Sequence, residues 1–129
     1  MLLLACSCSK GYDREVMAEG GYTPDKVEVY YFHFTRTCVP CVAIDTETEK
    51  TINETYAGAL AEGKIAYYPM NIETEEGKRM AEMLDVSGQA LLVIKPDDRI
   101  DLTAYAILYA SNQPEQFRKA LRETIGKIK

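Results

Sequence analysis

The segment VEVYYFHFTRTCVPC, residues 27–41, carries the strongest structural signal in the chain. Its first part, VEVYYFHF, is dense in β-branched and aromatic residues and too continuous for a half-exposed strand, so it predicts a central strand covered on both faces. A short polar turn then leads to Cys38 and Cys41, and a polar-rich helical pattern runs from about Val39 to Tyr56. The local order is therefore strand, turn, cysteine pair and helix.

Further strands and helices follow this unit. Residues 64–72 predict a second strand, and Pro69 within it indicates a sheet edge or a bulge, because proline has no N–H to donate to a neighbouring strand. Residues 90–94 (ALLVI) predict another buried strand, with residues 99–102 as its hairpin partner. The predicted order is βαβα followed by ββα, closed by an amphipathic helix that begins at Pro114.

The helical patterns also define a candidate core. Gly58 and Gly63 indicate a loop after the first helix, Thr74 is a candidate cap for the second helix, and residues 105–109 form a short apolar segment. The positions that we expect to be buried are Val42, Ile44, Ile52 and Tyr56 in the first helix, Met80, Met83 and Leu84 in the second, and Phe117, Leu121, Ile125 and Ile128 in the last.

Length and composition limit the possible functions. With 129 residues, 47% of them hydrophobic, the chain suits one domain with one core. A net charge of -5 and a pI near 4.9 argue against a nucleic-acid partner, because phosphate binding needs a clustered basic surface. No later segment approaches the roughly 18 to 20 apolar residues that cross a bilayer. We expect a monomeric domain that does not itself span a membrane.

The first residues predict a membrane anchor instead. Leu3-Leu4-Ala5-Cys6 matches the pattern of a bacterial lipoprotein signal, with Cys6 as the lipidated residue. Because a signal needs a basic region and about 7 to 15 apolar residues, we interpret residues 1–6 as a truncated signal with a start farther upstream. Residues 7–25 are polar and contain glycines, which predicts a flexible tether to the domain, residues 26–129. This interpretation places the domain in the bacterial cell envelope, facing the periplasm or the cell surface. The alternative is a short disordered apolar tip. Cys8, two residues after Cys6, is a candidate spare thiol.

The Cys-x-x-Cys pair is the candidate catalytic site. Such pairs serve zinc sites, haem attachment and redox chemistry, but no second pair completes a four-ligand zinc site and no histidine follows Cys41 as haem attachment requires. At a helix N-terminus, free N–H groups and the helix dipole lower the pKa of Cys38 and populate its thiolate. Cys38 is thus the candidate nucleophile, and Cys41, one turn further on the same side, is the candidate resolving thiol.

From about Val27 to its C-terminus the chain resembles the thioredoxin family. Pro40 precedes the second cysteine as in the common Cys-Gly-Pro-Cys form, residues 70–73 (MNIE) resemble the family's Leu-Asn-Ile-Asp, and residues 91–97 (LLVIKPD) resemble its Leu-Leu-Leu-Phe-Lys-Asn-Gly hairpin. More narrowly, the chain is similar to small lipid-anchored thioredoxin-like proteins of Bacteroidetes-type bacteria, a group sometimes labelled as a nitrophenyl compound nitroreductase subunit. The chain has no flavin- or nicotinamide-binding motif to match that label, and we expect no cofactor.

The resemblance implies an α/β thioredoxin-like fold with a central mixed sheet of about four strands flanked by helices. It implies a thiol–disulfide oxidoreductase that acts on protein thiols or disulfides. The residues that would contact such a substrate are Thr37, Val39 and Pro40 around the cysteines, together with the backbone strip Gly88, Gln89 and Ala90.

The chain also departs from the family pattern. Thr37 stands where thioredoxins have tryptophan, and Gln89 stands at the position of their cis-proline. Phe32 and Pro69 align with the buried aspartate and lysine that assist proton transfer to the second cysteine, which implies slow or partner-specific exchange. His33, the only histidine, is interpreted as a structural residue in preference to a proton shuttle.

These departures leave two alternatives to an enzyme. One is a redox-inactive binding module on the same fold, in which Cys38–Cys41 is an inert disulfide or a remnant. The other is a linear site for a soft metal such as Cu(I) on the two sulfurs. We expect no metal in the preferred, enzymatic interpretation.

Overall fold

Four strands and five helices follow one another along residues 26–128, the part of the chain that our computed structural model describes. The predicted anchor, residues 1–6, and tether, residues 7–25, lie outside the described residues, so this division of the chain stays a prediction. The elements are β1 (Val27–His33), α1 (Val39–Thr55), α2 (Ala57–Ala61), β2 (Ile65–Asn71), α3 (Glu75–Met83), β3 (Ala90–Lys95), β4 (Asp98–Asp101), α4 (Thr103–Tyr109) and α5 (Pro114–Ile128).

The strands form one mixed sheet in the order β2-β1-β3-β4. β1 runs parallel to β2 and antiparallel to β3, which in turn pairs with β4 as an antiparallel hairpin. The continuous apolar run of β1 therefore lies inside the sheet, as its pattern predicted. Pro69 lies in β2 at the sheet edge, where a missing backbone donor is tolerated.

The two faces of the sheet carry two separate apolar clusters. Because side chains alternate along a strand, Val29 and Tyr31 of β1 pack towards α1, α4 and α5, whereas Tyr30 and Phe32 pack towards α3. The closing helix contributes its predicted stripe to the first cluster: Phe117, Leu121, Ile125 and Ile128 are all buried. Sheet and helices thus enclose β1 on both sides, and the end of β1 leads directly to the cysteine pair.

One buried position predicted on α1 is wrong. The buried stripe of this helix contains Ile44, Thr48 and Ile52, spaced four residues apart. Val42 lies two residues before the start of this stripe, on the other side of the helix, and is 53% exposed. Its apolar side chain is therefore available at the surface beside the cysteines.

Other local expectations also need correction. Met83 is 71% exposed because the sheet-facing positions of α3 are taken by Gly77 and Ala81, four residues apart. The segment from Gly58 to Gly63, expected to be a loop, is helical as far as Ala61, because the five-residue helix α2 spans Ala57–Ala61. The apolar segment 105–109 lies within the helix α4. Packing against neighbouring elements stabilises both short helices, and local sequence preference does not predict such packing.

Candidate functional site

Cys38 begins helix α1 as its N-cap. Its backbone is extended, with φ -135° and ψ 168°, and its Sγ accepts a hydrogen bond from the Cys41 backbone N–H at 3.2 Å. Pro40 occupies the first helical turn, where a residue without an N–H leaves no bond unmade. The local sequence thus places the first sulfur among the free N–H groups of a helix start, where a negative charge is stabilised.

The structure joins the two predicted catalytic residues in a disulfide. The Sγ atoms of Cys38 and Cys41 lie 2.05 Å apart, and their Cα atoms are separated by 4.9 Å. The two residues differ in accessibility, since Cys38 is exposed and Cys41 is half-buried. Cys38 is therefore the more accessible of the two residues. The roles of attacking and resolving thiol stay predictions.

The end of β2 holds the loop that leads to Cys38. The Thr35 N–H donates to Glu73 Oε1 at 2.7 Å, and the Asn71 side-chain amide donates to Thr35 Oγ1 at 2.9 Å. Hydrogen bonds from the Thr35 side chain and backbone keep the pKa of the Glu73 carboxyl below its usual range. In the sequence, Asn71 and Glu73 were noted only as part of the segment that resembles a thioredoxin motif. Their hydrogen bonds to Thr35 in the loop before Cys38 were not predicted.

The predicted substrate strip lies at the same end of the sheet as the cysteines. Ala90 begins β3, is buried, and pairs with Phe32 near the end of β1. Gln89 Oε1 accepts a hydrogen bond from the Tyr31 hydroxyl at 2.6 Å, which ties the loop at Gly88 and Gln89 to the centre of the sheet. All peptide bonds within residues 26–128 are trans. The role of this strip in substrate binding stays a prediction.

Two open clefts flank the loop before the disulfide. The larger, of about 740 Å³, lies between the start of α1 and the α4–α5 connection and includes Thr37, Cys38, Val39 and Val42 in its lining. Val39 is 75% exposed. The other cleft, of about 530 Å³, lies on the opposite side and is lined in part by Phe34. In the larger cleft, Val39 and Val42 therefore supply apolar surface beside Cys38 without a tryptophan before the first cysteine. Pro40 lines neither of these two clefts.

A polar cluster lies between α1 and the sheet, and sequence reasoning missed it. The Tyr67 hydroxyl donates to Asp45 Oδ1 at 2.7 Å. Burial, followed by the negative charge of Asp45, raises the pKa of Tyr31 to about 12. Burial and the bond to Asp45 likewise raise the pKa of Tyr67, so both phenols are hydrogen-bond donors at neutral pH. The one available signal was the spacing of Asp45, four residues after Cys41 on the same helix.

The remaining residues singled out in the sequence have structural surroundings. Phe32 is fully buried in the apolar cluster under α3. The ring of His33 packs against Tyr31 with centroids 5.6 Å apart, and its Nδ1 lies 3.1 Å from the Phe34 carbonyl oxygen. Within the described part of the chain, no group of three or more His, Cys, Asp or Glu side chains is placed to hold a metal ion. No helix in residues 26–128 has the length and apolarity needed to cross a bilayer.

Fold and site together define a class: a thioredoxin-fold protein with a Cys-x-x-Cys disulfide at the start of a helix. Comparison with solved structures supports the fold. Thioredoxin from Fasciola hepatica superposes with a TM-score of 0.51 at 19% identity, over 81% of this chain and 83% of that one. The germline thioredoxin Deadhead from Drosophila melanogaster gives 0.48 at 17% identity, over 77% and 81% of the two chains. Chloroplastic thioredoxin z gives 0.47 at 19% identity, over 81% and 79%.

The predicted thioredoxin-like fold, with its four-strand mixed sheet and flanking helices, is confirmed by the likeness to the Fasciola hepatica thioredoxin. No family model and no curated protein matches the sequence itself. The structural likeness at 19% identity concerns the fold, so the chemistry of this chain has to be argued from its own residues.

Proposed function

We propose that this protein is a thiol–disulfide oxidoreductase that uses Cys38 as nucleophile and Cys41 as resolving thiol. The observation that carries the proposal is the Cys38–Cys41 disulfide, with the exposed Cys38 as N-cap of α1 and Cys41 half-buried behind it. In the reduced protein, the N–H groups at the start of α1 stabilise the Cys38 thiolate. Thiolate, and not thiol, is the species that attacks a disulfide.

The reaction has two steps that the geometry supports. Cys38 Sγ attacks one sulfur of a substrate disulfide, and the other substrate sulfur leaves as a thiolate. Cys41 Sγ then attacks Cys38 Sγ, re-forms the intramolecular disulfide and releases the second substrate thiol. The reverse sequence oxidises a dithiol. The open cleft lined by Cys38 favours protein thiols or disulfides as partners, because it leaves this exposed residue accessible to a large molecule.

The experiment that tests the function is equilibration of the Cys38/Cys41 pair against glutathione, with mass spectrometry to identify which thiols respond. The Cys6→Ser, Cys8→Ser double variant is the suitable protein, because only the pair can then exchange. We expect a reversible potential between about -270 and -120 mV, which also gives the preferred direction. A pair that stays closed down to about -300 mV would instead indicate the inert disulfide of a binding module.

We further propose that the domain acts outside the cytoplasm, tethered to a bacterial membrane through lipid on Cys6, as the resemblance to small lipid-anchored thioredoxin-like proteins suggests. The support is the Leu3-Leu4-Ala5-Cys6 motif followed by the polar residues 7–25. In a bacterium that expresses the chain behind a complete lipoprotein signal, Cys6→Ser is expected to abolish labelling by palmitate and release the protein from the membrane fraction. Cys8→Ser is the matched control and should retain both. Retention of the palmitate label by the Cys6→Ser protein would contradict the proposal. The Cys6→Ser protein released from the membrane is expected to sediment as a monomer.

A further inference from the structure

The second step of disulfide exchange needs an acceptor for a proton. Cys41 attacks the mixed disulfide as a thiolate, so the proton of its thiol must leave as the new sulfur–sulfur bond forms. Cys41 is half-buried, and Phe32 and Pro69 on the neighbouring strands have no group that can take up a proton. The acceptor therefore has to come from another side chain near the first turns of α1.

Asp45 has the required position. It lies four residues after Cys41 on α1, so the two side chains share one face with their Cβ atoms about 5–6 Å apart. Helical side chains lean towards the N-terminus of their helix, which for Asp45 is the direction of Cys41. Asp45 is half-buried, and the Tyr67 hydroxyl fixes its Oδ1. Asp45 thus lies about one helical turn from the resolving cysteine, and a hydrogen bond from Tyr67 holds its carboxylate.

The other carboxylates of α1 do not share this position. Glu47 pairs with Arg118 of α5 through side chains that are only 18% and 12% exposed. Glu49 and Glu54 are exposed and lie one turn or more beyond Asp45, farther from the cysteines. Asp45 is therefore the acid on this helix that combines proximity to Cys41 with contact to the sheet.

The surroundings of Asp45 connect it to solvent and to the sheet. A cleft of about 270 Å³ is lined by Asp45, Glu49, Tyr67 and Pro69 among others, and it gives water access to the carboxylate. The titratable groups that face Asp45 are Tyr67 from β2, Tyr31 from β1 and Glu49 from its own helix, and the ring of His33 lies behind Tyr31. Arg118 of α5 is engaged by Glu47 and Glu115, so it does not neutralise Asp45.

We propose that Asp45 accepts the proton of Cys41 in the resolving step, with Tyr67 as the residue that positions its carboxylate. The inference deepens the proposed function and rests on it. Cys41 Sγ attacks Cys38 Sγ, the Cys38–Cys41 bond forms, and the bond from Cys38 to the substrate sulfur breaks. The substrate sulfur leaves with the electron pair as a thiolate. The proton of Cys41 passes through one water molecule to Asp45 and from there to solvent. The cysteine pair is oxidised by two electrons and the substrate disulfide is reduced by two.

A chromogenic disulfide separates the two steps. Reduced protein in the Cys6→Ser, Cys8→Ser background is mixed with dithiobis(nitrobenzoate), and release of thionitrobenzoate is followed by stopped flow. The first equivalent reports attack by Cys38 and the second reports attack by Cys41. We expect Asp45→Asn to slow the second release about 100-fold and to leave the first unchanged. The second-step rate of this variant should rise in proportion to hydroxide concentration, whereas that of the parent protein stays nearly flat across neutral pH.

Matched variants make the result specific. Glu49→Gln removes the neighbouring charge in the same cleft and should leave both steps unchanged, whereas Asp45→Glu keeps a carboxylate and should recover most of the second-step rate. Tyr67→Phe should slow the second step by a smaller factor with the parent pH profile. Because the first release is an internal measure of folding, equal slowing of both steps or unchanged rates in Asp45→Asn would overturn the inference. A parent protein that never releases the second equivalent would instead refute the proposed oxidoreductase function.

Discussion

The Cys41→Ser protein is expected to remain covalently attached to a substrate protein, and the Cys38→Ser protein is expected to lose activity down to the rate without protein. The two variants are expected to differ because Cys38 is the more exposed cysteine and lies at the N-terminus of α1. Cys38 is exposed at the N-cap, where its thiolate is stabilised, and Cys41 is half-buried. Without Cys41 the first attack still occurs but the mixed disulfide has no intramolecular thiol to resolve it.

Reduction of insulin provides the measurement for this pair of variants. The parent protein should turn over repeatedly in the presence of dithiothreitol, and the Cys41→Ser protein should give a mixed-disulfide adduct that non-reducing electrophoresis and mass spectrometry detect. Cys8→Ser serves as the control for the loss of a cysteine outside the pair and should behave as the parent protein. If Cys38→Ser traps the adduct in place of Cys41→Ser, the assigned roles of the two sulfurs are reversed.

Gly77→Ala is expected to lower the free energy of unfolding by about 3 kcal/mol. A Cβ at residue 77 would lie 1.9 Å from the Asn71 carbonyl oxygen and 2.6 Å from its carbon, both backbone atoms that cannot rotate away. A glycine inside a helix usually weakens it relative to alanine. The structure instead shows that this glycine allows α3 to approach the end of β2, where Thr74 caps the helix by accepting from the Gly77 N–H.

Urea denaturation measures this effect, with Gly58→Ala as the control. Gly58 lies in the short helix α2 with nothing within 4 Å of an added Cβ, so alanine there should stabilise the protein by roughly 0.5–1 kcal/mol. Displacement of Asn71 should also loosen its bond to Thr35 and slow exchange by Cys38. Equal stability of the Gly77→Ala protein and the parent protein would show that the helix moves away at little cost.

Several elements follow from short-range patterns that neighbouring residues create. The uninterrupted apolar run of β1, the stripe of α5 and the helix start at the cysteine pair were all predicted, because strand and helix periodicity depend on residues a few positions apart. The same patterns failed at Val42 and Met83. Val42 and Met83 each fit the apolar spacing of their own helix. In the folded protein, however, a different face of each helix packs against the sheet, so both side chains are exposed.

The candidate site divides in the same way. The sequence by itself predicted the Cys38/Cys41 pair and its place at the start of a helix, because both depend on residues only a few positions apart. Only the tertiary structure decided which groups surround them. Tyr67 reaches Asp45 across 22 residues of sequence, Thr35 reaches Glu73 across 38, and Tyr31 reaches Gln89 across 58. Such contacts depend on strand register and on the packing of α1 against the sheet, which join parts of the chain that no local periodicity relates.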